Sequence, residues 1–198
     1  MFKQGYNSRD YYFTQEGLFT KSVPLDGPIS LSHQVPGYHA TALGLLHGLF
    51  DETKQPLAVR FIKNHLLRCF PNDPNAPRLA HPQANQERLI TPGFAHFALQ
   101  ALWEAGESQF VLEQYKSCWG WMIEQGATTL LEVFDTRWSH CHAWSGSPTW
   151  QMSRYALGLI PAPQLGSNCY KLNFQPGTLT YAKGTIPLLF AQGTIHIE

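Results

Sequence analysis

The sequence predicts a mainly helical fold built from helical hairpins and followed by a short antiparallel β segment. Three observations carry that prediction. Apolar residues recur at helical spacing between His39 and Ile160. Proline and glycine punctuate this region where helices start and stop. After Pro161 the pattern changes to short, alternating, β-branched stretches.

The elements follow in order. "YYFTQEGLFTKSV" reads as a short hairpin with Glu16-Gly17 at its turn. A first helix begins near His39, with Ala42, Leu45, Leu46 and Leu49 on one face. A second runs from about Gln55 to Phe70 with Ala58, Ile62 and Leu66 as its stripe, and "PNDPNAP" ends it. Thr91-Pro92 offers a capping hydroxyl and then a proline where no amide donor is needed. Phe94, Phe97, Ala98, Ala101, Leu102 and Ala105 line the inner face of this third helix, and Gly106 closes it. Ser108 is the expected cap of a fourth helix, with Val111, Tyr115, Cys118, Trp119 and Met122 along one side and Gly126 at its end. Ser147-Pro148 repeats the capping pattern for a fifth helix that ends near Gly158. "YKLNFQP", "LTYAKGTIP" and "GTIHIE" then read as three strands of one small β unit. The expected organisation is therefore a helical domain over 1–160 and a β domain beginning at 161–198.

Composition narrows the function. Formal net charge is zero and basic runs are lacking, so the electrostatic footprint of a nucleic-acid binder is missing. No apolar run approaches 18 residues, so no membrane span is expected. "MFKQGYNSRDYY" is not a signal peptide, and the chain expressed as it stands is expected to be cytoplasmic. Only 14% of residues are charged, which points to much internal surface or to a surface covered by a partner. Cys69, Cys118, Cys141 and Cys169 are scattered without a CxxC and read as reduced, small apolar residues.

One stretch concentrates chemistry: "GATTLLEVFDTRWSHCHAWSGSPTW", Gly126 to Trp150. Glu132 follows an apolar run, a setting that disfavours the ionised carboxylate and suits a general acid or base. Taken alone, a surface Glu at a helix end or an ion pair with Arg137 is the plainer explanation. His140 and His142, two apart with Cys141 between, allow a zinc pair, but a structural site wants four ligands and no third or fourth is evident. No metal and no cofactor are expected; a hydrogen-bonded imidazole is the plainer fate. Trp138, Trp144 and Trp150 offer flat apolar faces with one N–H donor each. Core packing accounts for any one of them. Interleaved with acid and imidazole, they fit a carbohydrate, whose rings present a flat C–H face and a rim of hydroxyls.

"WGWMIEQGATTLLE", "SHCHAWSGSPTWQMSRYALGLIP" and "LTYAKGTIPLLFAQGTIHIE", with the upstream "EGLFTKS", "HATALGLLHGLF" and "TPGFAHFALQALWEAGE", resemble in order the C-terminal part of bacterial and fungal α-L-rhamnosidases. That resemblance implies part of an (α/α)6 toroid, as in six-hairpin glycosidases, followed by the start of a β-sandwich-like domain. It implies inverting hydrolysis of terminal α-L-rhamnosides with Glu132 as general base. His142 and Trp144 match residues that border the sugar subsite, and Trp119 and Trp121 lie on a helix whose inner end approaches it. Leu131 stands where the family commonly has Trp, and the segment from Glu132 to Ser139 is shorter. The family's general acid lies in an Asp- and Arg-rich segment that has no match here; Arg9-Asp10 is a weak echo. The resemblance thus implies a glycosidase that is incomplete as an isolated chain. Its expected partners are terminal rhamnose and either a second copy or an N-terminal half. A non-catalytic carbohydrate-binding or interaction module, or a piece of another six-hairpin glycosidase, is the alternative.

Overall fold

A computed structural model of the chain describes residues 13–20, 35–78, 90–167, 169–187 and 194–197. Among these, helices predominate. They are α1 (Tyr38–Leu46), α2 (Gln55–Leu67), α3 (Pro92–Glu104), α4 (Ser108–Gln114), α5 (Gly120–Glu124) and α6 (Ser147–Gln151). Two π-helical segments extend them: Tyr115–Trp119 joins α4 to α5, and Met152–Ala156 continues α6. The strands are β1 (Leu159–Pro161), β2 (Tyr170–Leu172), β3 (Gly184–Pro187) and β4 (Thr194–Ile197). The chain forms two compact units, one of residues 1–90 with 97–101 and one of residues 91–96 with 102–198.

In the first unit, α1 and α2 pack against each other. Tyr38, in the first turn of α1, stacks on His65, in the last turn of α2, with ring centroids 4.1 Å apart, so the two helices run antiparallel as a hairpin. The expected stripe Ala58, Ile62 and Leu66 is buried, as are Ala42 and Leu45. Leu49 is exposed instead: Gly48 takes φ +66° and ends the helix before that residue can join its face. Asp51 organises the start of α2, its Oδ1 accepting the N–H groups of Thr53 and Lys54. Upstream, Thr14 N–H donates to Leu18 O at 2.7 Å and Gly17 turns with φ +88°, which makes the hairpin expected around Glu16-Gly17. The Arg9-Asp10 pair lies outside the described residues.

Helix α3 supplies residues to both units. Its start follows the expected chemistry, with Thr91 Oγ1 accepting the Phe94 N–H at 3.3 Å. Ala98, Ala101 and Leu102 are buried, whereas Phe97 is exposed and Phe94 and Ala105 are half-buried. Gly106 (φ +83°) and Gly126 (φ +78°) end their helices in the left-handed conformation. Ser108 is not a cap: it is the first residue of α4, Glu107 holds the cap position and no side chain caps the turn. Ser147 likewise starts α6 behind Gly146, with its buried hydroxyl making no hydrogen bond. Cys69 and Cys118 are buried as expected, but Cys141 and Cys169 are exposed, and none of the four is in a disulfide.

The second unit is organised around buried polar side chains. Trp103 Nε1 donates to the Tyr115 hydroxyl at 3.1 Å, the Tyr115 hydroxyl donates to Gln151 Oε1, and Gln151 Nε2 donates to the His96 carbonyl at 2.9 Å. Trp103 stacks on Tyr155, whose hydroxyl donates to Glu104 at 2.7 Å. Burial and that acidic neighbour push the Tyr155 phenol up to about 12. Trp150 Nε1 approaches His96 Nδ1 at 3.5 Å.

The β region differs in detail from the single three-stranded unit expected. The three stretches do carry β2, β3 and β4, but they belong to two separate two-stranded antiparallel sheets, β1–β2 and β3–β4. The additional strand β1 follows directly from Gly158, whose φ of +70° ends the preceding helix. A Cβ at Gly158 would lie 2.6 Å from the Asn173 carbonyl, so only glycine lets the two backbones approach.

Two predictions follow from this packing. Gly158→Ala meets both a left-handed penalty of about 1–2 kcal/mol and the clash with Asn173, and should lower stability by at least that amount in urea unfolding. His96 has its pKa lowered from 6.5 by burial, and so does His39. Their unfolded rings therefore protonate first as pH falls. The stability lost begins below about pH 6.5 and continues down to the folded-state pKa. Unfolding midpoints should fall between pH 7.5 and 5.5, and His96→Gln, which keeps an acceptor for Trp150, should flatten that slope.

Candidate functional site

The chemistry-rich stretch forms a loop closed on itself. After Gly126 the chain runs out through Leu130, Leu131 and Glu132 and returns through residues 139–145. The Glu132 N–H donates to Ser139 O at 2.9 Å and the His142 N–H to Leu130 O at 3.0 Å. Thr129 Oγ1 donates to the His140 carbonyl. Leu131 is fully buried and anchors the outgoing segment. Behind it, the Ser145 hydroxyl donates to Leu131 O at 2.7 Å, and Trp119 Nε1 donates to Ser145 O at 2.7 Å.

This closure brings three of the five sequence-derived site residues together. His142 Nε2 stands 3.9 Å from Glu132 Oε1, beyond a hydrogen bond but within reach of an ion pair when the ring is protonated. The His142 and Trp144 rings lie 4.4 Å apart at 44°. Trp144 also covers the start of α3, where a Cβ on Gly93 would meet its indole at 3.2 Å. Even so, 60% of Trp144 is exposed. His142 Nδ1 is buried and accepts or donates no hydrogen bond, so the ring turns Nε2 toward the carboxylate and a dry Nδ1 inward. The Glu132 side chain is 33% exposed and is not sealed in apolar surroundings as its sequence context implied.

The other two site residues do not join them. Trp119 is buried; its indole packs edge-to-face on Tyr115 and Phe134, and its N–H is spent on Ser145 O. It supports the loop from behind. Trp121 is half-buried in the first turn of α5. Of the wider tryptophan cluster, Trp150 packs on His96 and Tyr155, with centroids 5.1 and 6.2 Å away.

Arg137 does not pair with Glu132. Its N–H and Nε reach Asp135 Oδ1 at 3.1 and 2.9 Å, and Nη2 bonds Asp135 Oδ2. The hydrogen bonds and charge of Asp135 hold the guanidinium more firmly protonated than usual. Asp135 is 1% exposed, so this bidentate pair neutralises a buried carboxylate. Asp135 and Arg137 are separated by one residue, and the turn between them brings the two side chains together. His140 turns its Nε2 to Thr136 O at 2.7 Å and away from any shared metal. Among the described residues no three His, Cys, Asp or Glu side chains gather as a metal site, and no helix is long and apolar enough to cross a membrane.

No protein-family model matches the chain, and no curated protein does.

Ser145 is the joint between Trp119 and Leu131. Ser145→Ala removes one buried donor and leaves Leu131 O unpaired, which should cost about 1–3 kcal/mol. Unfolding by urea measures this, and the His142 ring resonances should move in the same variant, because the His142 N–H ties the returning segment to Leu130 O.

Proposed function

We propose that this chain is the C-terminal piece of an α-L-rhamnosidase-like inverting glycosidase, its helical hairpins part of an (α/α)6 toroid, with Glu132 as general base. The observation that carries the reading is the convergence of Glu132, His142 and Trp144. An exposed indole face suits the C–H face of a sugar ring. A half-exposed carboxylate beside an imidazole suits the polarisation of a water or hydroxyl at that ring's edge.

The chemistry has two halves. Glu132 would take a proton from a water as its oxygen bonds to the anomeric carbon. The leaving-group oxygen must then receive a proton from a second carboxyl about 6.5–9.5 Å from the first. Asp135 is committed to Arg137 and unsuited to that part. Loss of the acid removes a contribution of about 10²–10⁴-fold. The isolated chain is therefore expected to bind terminal rhamnose without cleaving it. That same commitment of Asp135 favours, as the second reading, a module that binds carbohydrate with no catalytic task. An N-terminal half carrying the acid, or a second copy, is the expected partner under the first reading.

L-rhamnose at millimolar concentration should quench tryptophan fluorescence, and Trp144→Ala should abolish the response. The pure chain should release no 4-nitrophenol from its α-L-rhamnoside. Supplying an acid-bearing N-terminal half should restore turnover that Glu132→Gln removes. A folded chain whose fluorescence ignores the sugar overturns the carbohydrate reading. Turnover by the chain alone, abolished by Glu132→Gln, overturns the claim that the acid is missing.

A further inference from the structure

Gly93 is a glycine for a reason other than backbone shape. It lies in the first turn of α3, directly after Pro92, and has no left-handed φ that would favour glycine. Glycine is also among the poorest helix formers. What the position lacks is a side chain, and the Trp144 indole fills that space. A Cβ there would lie 3.2 Å from indole Cδ1, 3.4 Å from Nε1 and 3.7 Å from Cγ. All three atoms belong to the pyrrole ring, so that ring rests on bare helix backbone. The rest of the side chain is largely exposed.

Other bonds hold both sides of this contact. On the helix side, the Thr91 hydroxyl accepts the Phe94 N–H at 3.3 Å and the Thr91 carbonyl accepts the Ala95 N–H at 2.9 Å. Three residues further on, the His96 carbonyl accepts from the buried Gln151. On the loop side, the Ser145 N–H donates to His142 O at 3.1 Å and the Ser145 hydroxyl donates to Leu131 O. Neither backbone can yield freely, so the bulk at residue 93 decides where the indole sits. The same indole meets the His142 ring, whose Nε2 faces Glu132.

We infer that Gly93 is a positioning residue: the bare α3 backbone there sets the height and tilt of the Trp144 platform relative to His142 and Glu132. The inference rests on the carbohydrate reading of those three residues. It adds a fourth member that touches no ligand and acts through the indole.

Calorimetric titration of the full chain with methyl α-L-rhamnoside, run on a size series at residue 93, tests it. Gly93→Ala should weaken binding about two- to tenfold, the worth of one disturbed aromatic contact. Gly93→Leu, which needs the indole's own place, should weaken it as much as Trp144→Ala does. In a Trp144→Ala background, where the space is empty, Gly93→Ala should change sugar affinity no further and should raise the urea midpoint, because alanine is the better helix former. The Trp144 Nε1–H resonance should shift in Gly93→Ala, while that of Trp103, bonded to Tyr115 in the core, should stay. Sugar affinity indifferent to both substitutions, or a loss accompanied by an equal shift of the Trp103 resonance, overturns the positioning role and leaves the first reading standing. A folded wild type that binds no methyl rhamnoside overturns the carbohydrate reading and this role with it.

Discussion

The buried carboxamide of Gln151 is the constraint on which the second unit depends. It is fully buried, and each end has one partner: Oε1 accepts from the Tyr115 hydroxyl, and Nε2 donates to the His96 carbonyl. Tyr115 in turn accepts from Trp103 Nε1. The donors and acceptors form a one-way relay, Trp103 to Tyr115 to Gln151 to His96. Burial drives the Tyr115 pKa upward, so its hydroxyl stays protonated and always has the hydrogen that Gln151 needs. A relay of this kind is costly when half made and specific when complete. It also meets both π segments: Tyr115 opens the first, and Gln151 immediately precedes the second. Each π turn carries one more residue than an α turn would, which shifts the phase of everything after it.

That phase shift leads from the core to the loop. Trp119 closes the first π segment and sits edge-on to Tyr115, 5.6 Å between centroids. From there one hydrogen bond reaches Ser145, a second reaches Leu131, and Glu132 is the next residue. The backbone leading into Glu132 is therefore tied, through two hydrogen bonds and the Tyr115–Trp119 ring contact, to the relay that includes Gln151, on α6. Trp119 reads in the sequence as a sugar-facing side chain. Its place is behind the loop because the indole N–H finds a carbonyl there, and a buried indole needs one.

Signals carried by a single residue's backbone preference were legible. Thr91-Pro92, Gly106, Gly126 and Gly158 all act as their conformations require, and the stripe Ala58, Ile62 and Leu66 is buried as its spacing demands. Signals that depend on a distant partner were not. Ser108 and Ser147 have the composition of caps but lie one position inside their helices, because Glu107 and Gly146 take the turn. Leu49 and Phe97 continue an apolar period beyond the surface that buries it. The π segments have no signature at all, since nothing local distinguishes an i to i+5 turn. At the site, the proximity of Glu132, His142 and Trp144 was legible. The ion pair of Glu132 with Arg137, one of two structural alternatives, is not formed: Glu132 and Asp135 both lie within a few residues of the arginine, and loop geometry gives it to Asp135.

Glu132 and Asp135 show how far that geometry separates two similar groups. They are three residues apart with the same charge. Asp135 falls where the chain reverses, and there its side chain must turn inward to accept the Arg137 N–H. Once inside, a carboxylate needs a matching cation, and the two-pronged guanidinium supplies it. Glu132 falls before the reversal, and its own N–H is already given to Ser139 O. Its side chain has no backbone task, so it stays half-exposed with His142 as its neighbour. The loop thus spends one acid on its own structure and leaves the other available for a ligand. A charge already neutralised by a partner in the fold has little to offer a sugar hydroxyl or a water, whereas an uncommitted carboxylate beside an imidazole can polarise either. The division of labour between them is written in which one the turn obliges to cap it.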